Sequence, residues 1–501
     1  MEYLPGTESL YTADQTRELD HCAIEEYGIP GIVLMSRAAS ACFECLRRVW
    51  PQATHIHVLC GTGNNGGDGY LIADLAHKRG ISVYVHQLGD VSNIHGDALS
   101  ARKQALANGV TIQAFNVASF EPEDSAVIVD AMLGTGLGGD VRGPYPAAIA
   151  AIACSGLPVL AVDIPSGLCS DTGRVLGCAV TADVTLSFIG LKRGLFTLDG
   201  PDYTGVIEFT DLEVPAQVYQ RVASSCSRLE LEPLLDCLPQ RRAVSHKGSY
   251  GSVLIVGGDT GMAGAVAMAA EAALRCGTGL VRVATHGEHV PALIARIPEV
   301  MAHPVRTIAD LNPLINESDV LVVGPGLGQS PWSSLLLQAT LASGKPVVLD
   351  ADGLNLLAAA GTPVQVRDNW LLTPHPGEAA RLLAWRKSEV QADRFAAVTQ
   401  IQQKFGGTVI LKGNGSLIAD ESQVLLSDYG NPGMASGGMG DVLSGVLGAL
   451  LAQADTHDLS TLASVALGVC VHGAAADRAA KDGQRGLCAT DLIPRMRELI
   501  G

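Results

Sequence analysis

The chain has 501 residues, with 34 Lys+Arg against 51 Asp+Glu and a formal net charge of −17. That length exceeds one ordinary core and predicts two domains of roughly 200–280 residues. The negative balance excludes a polyanion or an acidic membrane surface as the main partner. Hydrophobic residues make up 47%, aromatics only 4%, and there are 57 glycines. An aliphatic, turn-rich chain of this kind suits parallel α/β architecture, whose central strands are buried on both faces.

The polar start, MEYLPGTESLYTADQTRELD, has neither a basic n-region nor an apolar h-region, and no apolar run is long enough to cross a bilayer. A soluble, cytoplasmic protein is therefore expected. Twelve irregularly spaced cysteines in so long a chain predict a reducing compartment. Cys42 and Cys45 form a C-x-x-C within SRAASACFECLRRVW, without a second pair at zinc spacing. A buried helical face is the reading there.

Both halves alternate short aliphatic runs, Gly-rich loops and helical patterns. In the first half, strands are predicted at 55–60, 81–86, 126–130, 159–163 and 184–188. In the second they are predicted at 252–256, 280–284, 320–323, 346–350, 370–373 and 408–412. Such spacing predicts two open, mostly parallel sheets, with ligands beyond the carboxyl ends of the strands. Residues 213–242 lose the alternation and hold Pro215, Pro233 and Pro239, which places the boundary near Val222.

Gly61-Thr62-Gly63-Asn64-Asn65-Gly66 follows the first strand and fits G-x-G-x-x-G. A dinucleotide dehydrogenase would place an acid at the end of the next strand, yet ISVYVHQLGD offers His86 and Gln87 there. The loop continues into Gly67-Asp68-Gly69, and Asp130 and Asp163 close later strands in IVDAMLGTGLGGD and LAVDIPSG. Three acids and two Asn amides on one rim require protonation or a cation. Oxygen ligands favour a hard ion. The alternative is that Asp68 caps a helix and Asp163 stabilises a turn.

GTGNNGGDGY, DAMLGTGLGGDVRGP and DIPSGL with ADVTLSFIGLKRGLF resemble the NAD(P)H-hydrate epimerase domain, a Rossmann-like module, within a domain placed at residues 1–222. The resemblance implies that hydrated coenzyme is held by Asn64, Asn65, Gly66, Gly67 and Asp68 and by Gly134, Thr135, Gly136, Leu137, Gly138, Gly139 and Asp140. It also implies a K⁺ site of Asn65, Asp130 and Ser166 and a substrate contact at Asp163, the candidate acid/base for interconverting the C6 epimers. Lys192, in GLKRG, either balances charge or is a solvated surface lysine.

In the second half, residues 431–445 read NPGMASGGMGDVLSG. Gly437, Gly438 and Gly440 let backbone N–H groups curl inward, and the following helix adds its positive end, making an anion hole for a phosphoryl group. Asp441 is then placed to take a proton from an attacking hydroxyl; a plain helix N-cap is the alternative. Lys412 in LKGNGSLIAD is a candidate phosphate contact, and GGDTGMAGA and VVGPGLGQS are Gly loops for a second bulky ligand. In LLTPHPGE, His375 either contacts substrate or serves structure, and Glu378 is placed to orient a metal-bound water.

These motifs resemble the ribokinase-like superfamily, and within it the NAD(P)H-hydrate dehydratase domain, in a domain placed at residues 223–501. Where many superfamily kinases have Asn-x-x-Glu, this chain has His375-Pro376-Gly377-Glu378. The resemblance implies hydrated coenzyme on Ala265, Gly326 or Gly328, His375 and Asp441, and an adenine nucleotide on Lys412, Gly413, Asn414, Gly415, Ser416 and Gly440. It implies ADP as co-substrate with Mg²⁺, and a repair reaction in which the C6 hydroxyl is phosphorylated and phosphate is then expelled. Small molecules are the expected partners, with no nucleic acid and no membrane, and a homo-oligomer is expected. The rival is a small-molecule kinase carrying a non-catalytic Rossmann-like binding module.

Overall fold

The computed structural model describes residues 4–360 and 366–501. The chain forms two compact units: Ser9–Cys226, and Ser227–Gly501 with the described residues up to Glu8.

In the first unit, β1 (Thr7–Tyr11), β2 (His55–Cys60), β3 (Ser82–Gln87), β4 (Ile112–Ala114), β5 (Ala126–Ala131), β6 (Val159–Val162), β7 (Val184–Phe188), β8 (Leu191–Lys192) and β9 (Val206–Thr210) follow one another. Seven of them form one wholly parallel sheet in the order β4-β3-β2-β5-β6-β7-β9. The central strands β5, β6 and β7 are buried along their whole length, which explains their unbroken aliphatic runs. The chain builds outward from β2 in one direction, then returns to build from β5 in the other. This reversal opens a crevice at the carboxyl ends of β2 and β5. The Gly61 loop and Asp130 stand there.

The second unit repeats the scheme with β10 (Cys226–Leu229), β11 (Ser252–Val256), β12 (Leu280–Thr285), β13 (Met301–Pro304), β14 (Val320–Val323), β15 (Val347–Leu349), β16 (Trp370–Leu372), β17 (Thr408–Leu411), β18 (Ser416–Ala419) and β19 (Val424–Ser427). The order β13-β12-β11-β14-β15-β16-β17-β18-β19-β10 is parallel except at β18, which runs antiparallel to both neighbours. Its switch point lies between β11 and β14. The loops starting at Gly257 and Gly324 leave those two strands.

The helix Met439–Ala452 packs against both this sheet and the helix Ala263–Arg275. A Cβ on Gly445 would collide with the Ala269 carbonyl, and one on Gly448 would collide with Val322. These two glycines exist for close approach of backbone, not for flexibility.

Every predicted strand is present, with ends moved by a residue or so. The sequence reading missed β1, β4, β8, β10, β13, β18 and β19, which are two to five residues long. It missed β9 because that strand is an edge, with Val206 63% exposed. Cys42 and Cys45 are buried on the helix Gly31–Val49 and unpaired, as the helical-face reading expects. Among the described residues, no helix is long and apolar enough to cross a membrane.

Candidate active sites

A cavity of about 540 Å³ opens in the first unit. Asn64, Asn65, Asp68, Gly134, Thr135, Gly136, Leu137, Gly138 and Asp163 line it, together with Lys192 and Asp20. Gly66 and Gly67 are buried behind the wall, whereas Gly139 and Asp140 are exposed and do not line it. Gly61 and Gly66 are needed for packing: a Cβ on either would strike the backbone of Met132 or Gly61. The helix Asn64–Lys78 begins at this loop with Gly63 as its N-cap, so Asp68 is not a cap.

Asp130, at the end of β5, is fully buried. Its carboxylate accepts from Ser166 Oγ at 2.6 Å, Ser166 N at 2.7 Å and Met132 N at 3.3 Å. Burial pushes its pKa up to about 6, against the pull of those hydrogen bonds. Leu133 N donates to Ser166 Oγ at 2.8 Å, and a Cβ on the next residue, Gly134, would stand 3.4 Å from Asn65 Cβ. Both polar atoms of the buried Asn65 amide lack a hydrogen-bond partner in the protein. An unpartnered buried amide beside Gly134, the neighbour in sequence of the Leu133 that bonds Ser166, fits a weakly hydrated cation. Among the described residues no three or more His, Cys, Asp or Glu side chains are grouped to hold a metal ion. A cation here would rely on amide, hydroxyl and carbonyl oxygens beside one carboxylate.

Asp163 follows β6 with φ +69, left-handed and unusual for a non-glycine residue. The turn lets its carboxylate accept from Phe188 N at 3.1 Å and pair with the ammonium of Lys192. Lys192 is fully buried and also donates to Phe188 O at 2.9 Å and Ser187 Oγ at 3.2 Å. It is no surface lysine; it is a fixed charge at the cavity floor. Asp68 is held well above the usual carboxylate range by burial, with Asp163 and Asp20 adding repulsion. Burial likewise raises Asp20 to about 6, against the attraction of Lys192. The cavity therefore pairs one salt-bridged carboxylate with two that hold protons more readily.

The second unit gathers its polar groups at the carboxyl ends of β15, β16 and β17. Asp350 is buried and accepts from Lys412 Nζ at 2.6 Å, Thr373 Oγ1 at 2.8 Å and Ser444 Oγ at 2.8 Å. Burial opposes its charge, but Lys412 and the two hydroxyls win and lower its pKa. Lys412 Nζ also lies 3.9 Å from Glu378 Oε2. Burial would lower the ammonium's pKa, yet Asp350, Glu378 and Asp441 together raise it.

Gly440 sits directly over this pair: its Cβ would be 3.3 Å from both Asp350 Oδ2 and Lys412 Nζ. Gly438 is the helix N-cap at φ +92, and a Cβ there would strike Met268, while Gly437 borders open space. Asp441 is in the first helical turn, two residues inside the start, so it is not the cap. Burial pushes its pKa up to about 7, with Asp350 and Asp352 adding and Lys412 opposing.

His375 is the N-cap of the helix Pro376–Leu383, its Nδ1 accepting from Gly377 N at 2.9 Å. Glu378 Oε2 in turn accepts from His375 N at 2.8 Å, completing a capping box. The imidazole is thus fixed in the Nε2–H form. Burial, with Lys412 and Arg381 nearby, lowers its pKa to about 4. The structural reading of His375 holds, and its half-exposed ring leaves the substrate reading open. At the switch point, a Cβ on Gly326 would stand 3.0 Å from Ala265 Cβ. Gly328 N donates to Asp352 Oδ2 at 3.0 Å. Gly328 is thereby tied to Asp352, whose charge acts on Asp441, while Gly326 packs against Ala265.

Sequence reasoning missed Asp350, Asp352 and Asp20. Asp350 closes a predicted strand just as Asp130 and Asp163 do, so the same signal pointed to it. Asp20 lies on the helix Ala13–His21, whose docking over the cavity no local pattern announces.

A family model described as YjeF-related protein N-terminus matches residues 31–194, and one described as NAD(P)H-hydrate dehydratase matches residues 253–497. The bifunctional NAD(P)H-hydrate repair enzyme Nnr of Coxiella burnetii is 48% identical over 98% of this chain and 99% of its own length. The Escherichia coli K12 protein of the same description is 42% identical over 98% and 94%. Among solved structures, a ribokinase-like superfamily protein from Enterococcus faecalis V583 superposes with a TM-score of 0.50 at 28% identity, covering 55% of this chain and 94% of its own. With near-complete coverage by relatives of this kind and both family models matched in their expected halves, the chain belongs to the bifunctional NAD(P)H-hydrate repair enzymes.

Proposed function

We propose that this chain repairs hydrated NADH and NADPH, the first unit interconverting the R and S hydrates and the second dehydrating the S form as ADP becomes AMP and phosphate. The observation that carries the dehydration is Asp441: a carboxylate raised to about 7 within a glycine-opened helical turn, beside the Lys412–Asp350 pair. A base with that pKa can accept the C6 hydroxyl proton near neutrality. The C6 oxygen then attacks the terminal phosphoryl of ADP, with AMP leaving. Lys412 and the helix N-terminus face the charge that develops. Nitrogen lone-pair donation breaks the C6–O bond, phosphate departs, and loss of a C5 proton restores the ring double bond. Mg²⁺ bound with the nucleotide would neutralise phosphate charge, and Glu378 would orient one of its waters.

Incubating the mixed hydrates with ADP or ATP, while following phosphate and both epimers by chromatography, tests this reading. Consumption of S with one phosphate per coenzyme recovered, and of R after it, is expected. A stable phosphorylated product would favour the small-molecule kinase instead.

The rate of S dehydration at low substrate should rise with pH and level off above an apparent pKa near 7, because the base must be ionised. A rate flat from acid to alkaline pH would contradict the role of Asp441.

For the epimerase half, the unpartnered Asn65 amide next to Asp130 and Ser166 supports K⁺ as the resident ion. Its charge would stabilise the buried Asp130 carboxylate. Exchange of K⁺ for a bulky organic cation, or Asp130→Ala, should slow loss of R by about tenfold or more while S dehydration is unchanged. Equal slowing of both epimers would remove K⁺ from the first unit.

A further inference from the structure

The loop Lys412–Ser416 is held by a side chain outside it. Arg394 opens the helix Arg394–Phe405, which packs against β17 and β18. It is 2% exposed, among the largest fully enclosed side chains in the protein, and makes no ion pair among the described residues. Among the described residues its guanidinium donates to backbone carbonyls: Nη2 to Gly415 O at 2.9 Å and Leu411 O at 3.2 Å, and Nη1 to Lys412 O at 3.4 Å. Burial lowers its pKa to about 10, so it stays charged at neutral pH. Gly413 lies against it at φ +147, and a Cβ there would collide with Nη1. Loop and guanidinium fit with no room for a side chain between them.

A buried, unneutralised cation is costly to desolvate. A Leu or Met would fill the same space without that cost, so a packing role alone does not account for it. What the guanidinium does is orient peptides. In a trans peptide the C=O and N–H point to opposite edges. With the Lys412 carbonyl drawn inward, the Gly413 N–H is turned away from the guanidinium, on the loop's other side. The same loop carries Lys412, whose Nζ stands beside Gly440 and faces Asp441.

We propose that Arg394 is a positioning residue of the nucleotide site: it draws the Leu411, Lys412 and Gly415 carbonyls inward, presents the Gly413 N–H to a nucleotide oxygen, and adds a permanent positive charge behind the loop. The proposal rests on the reading of Lys412–Ser416 as the nucleotide loop. Arg394 touches no reacting atom; it acts through the backbone.

The test compares Arg394→Lys and Arg394→Met in the full chain with the unaltered protein. It measures KM for ADP and for S hydrate, ADP binding by calorimetry, epimerisation and thermal midpoint. Lysine keeps the charge but loses the planar fork. Arg394→Lys should therefore raise KM and Kd for ADP about tenfold, with KM for the hydrate and the epimerisation rate within about twofold of normal. Arg394→Met should weaken ADP by a further order of magnitude or so. Should the Met variant fail to fold, the Lys variant decides alone. An Arg394→Lys protein with normal ADP affinity, or with both substrates weakened alike, would overturn the proposal and leave a structural arginine. No binding of ADP or ATP to the unaltered protein would overturn the nucleotide reading of the loop, and this proposal with it.

Discussion

Asp441→Asn is expected to lower ADP-dependent recovery of near-UV coenzyme absorbance by about 10³-fold while R and S hydrates still interconvert at the normal rate. The substitution keeps the size and the helical turn but removes the proposed proton acceptor beside the Lys412–Asp350 pair. Stability should not suffer. The carboxylate is raised by burial and by repulsion from Asp350 and Asp352, so a neutral amide relieves strain in the folded state. The variant should therefore melt no lower than the parent and still bind ADP and S hydrate. Retention of most of the turnover would mean that the phosphoryl group itself, and not Asp441, takes the hydroxyl proton. Loss of both activities would break the assignment of one chemistry to each unit.

The second large effect is expected at Asp163. Asp163→Asn should abolish R-to-S conversion and leave dehydration of pure S untouched. It also strands Lys192, fully buried, without its carboxylate. Breaking such a pair from one side costs about 3–5 kcal/mol, so unfolding of the first unit should move to markedly lower temperature. The double variant Asp163→Asn/Lys192→Met separates the two consequences. It removes the orphaned charge and should recover most of the lost stability with no epimerisation. If epimerisation returns in the double variant, Asp163 serves only as counter-charge, and the proton carrier must be Asp20 or Asp68, both of which hold protons more readily than usual.

Much of this architecture was legible from local chemistry. Continuous aliphatic runs mark strands buried on two faces, and they located β2, β5, β11 and β14 together with the loops that leave them. The Gly-rich stretch ahead of Asp441 was legible because so many glycines have few other causes. What stayed hidden depended on long-range approach. GLKRG leaves Lys192 as either a charge-balancing or a surface lysine; the left-handed turn at Asp163 decides it by bringing the two together from strands distant in sequence. His375 reads as a ligand, but its imidazole first satisfies a helix end. Arg394, in QADRFAAV, looks like any charged helical residue until the loop it holds is folded above it. Gly61 and Gly66 fit the G-x-G-x-x-G pattern, whereas the tightest demand on both comes from neighbouring backbone.

The contacts of Gly445 with Ala269 and of Gly448 with Val322 limit how this enzyme can vary. The helix that carries the base is seated main chain to main chain against Ala269 on one side and close on the Val322 side chain on the other, so it has little room to shift. The base cannot be retuned by gradual drift of that helix. New substrate preferences would have to arise at the rim, in the turns after β11 and β14, while the proton-transfer geometry stays frozen beneath them.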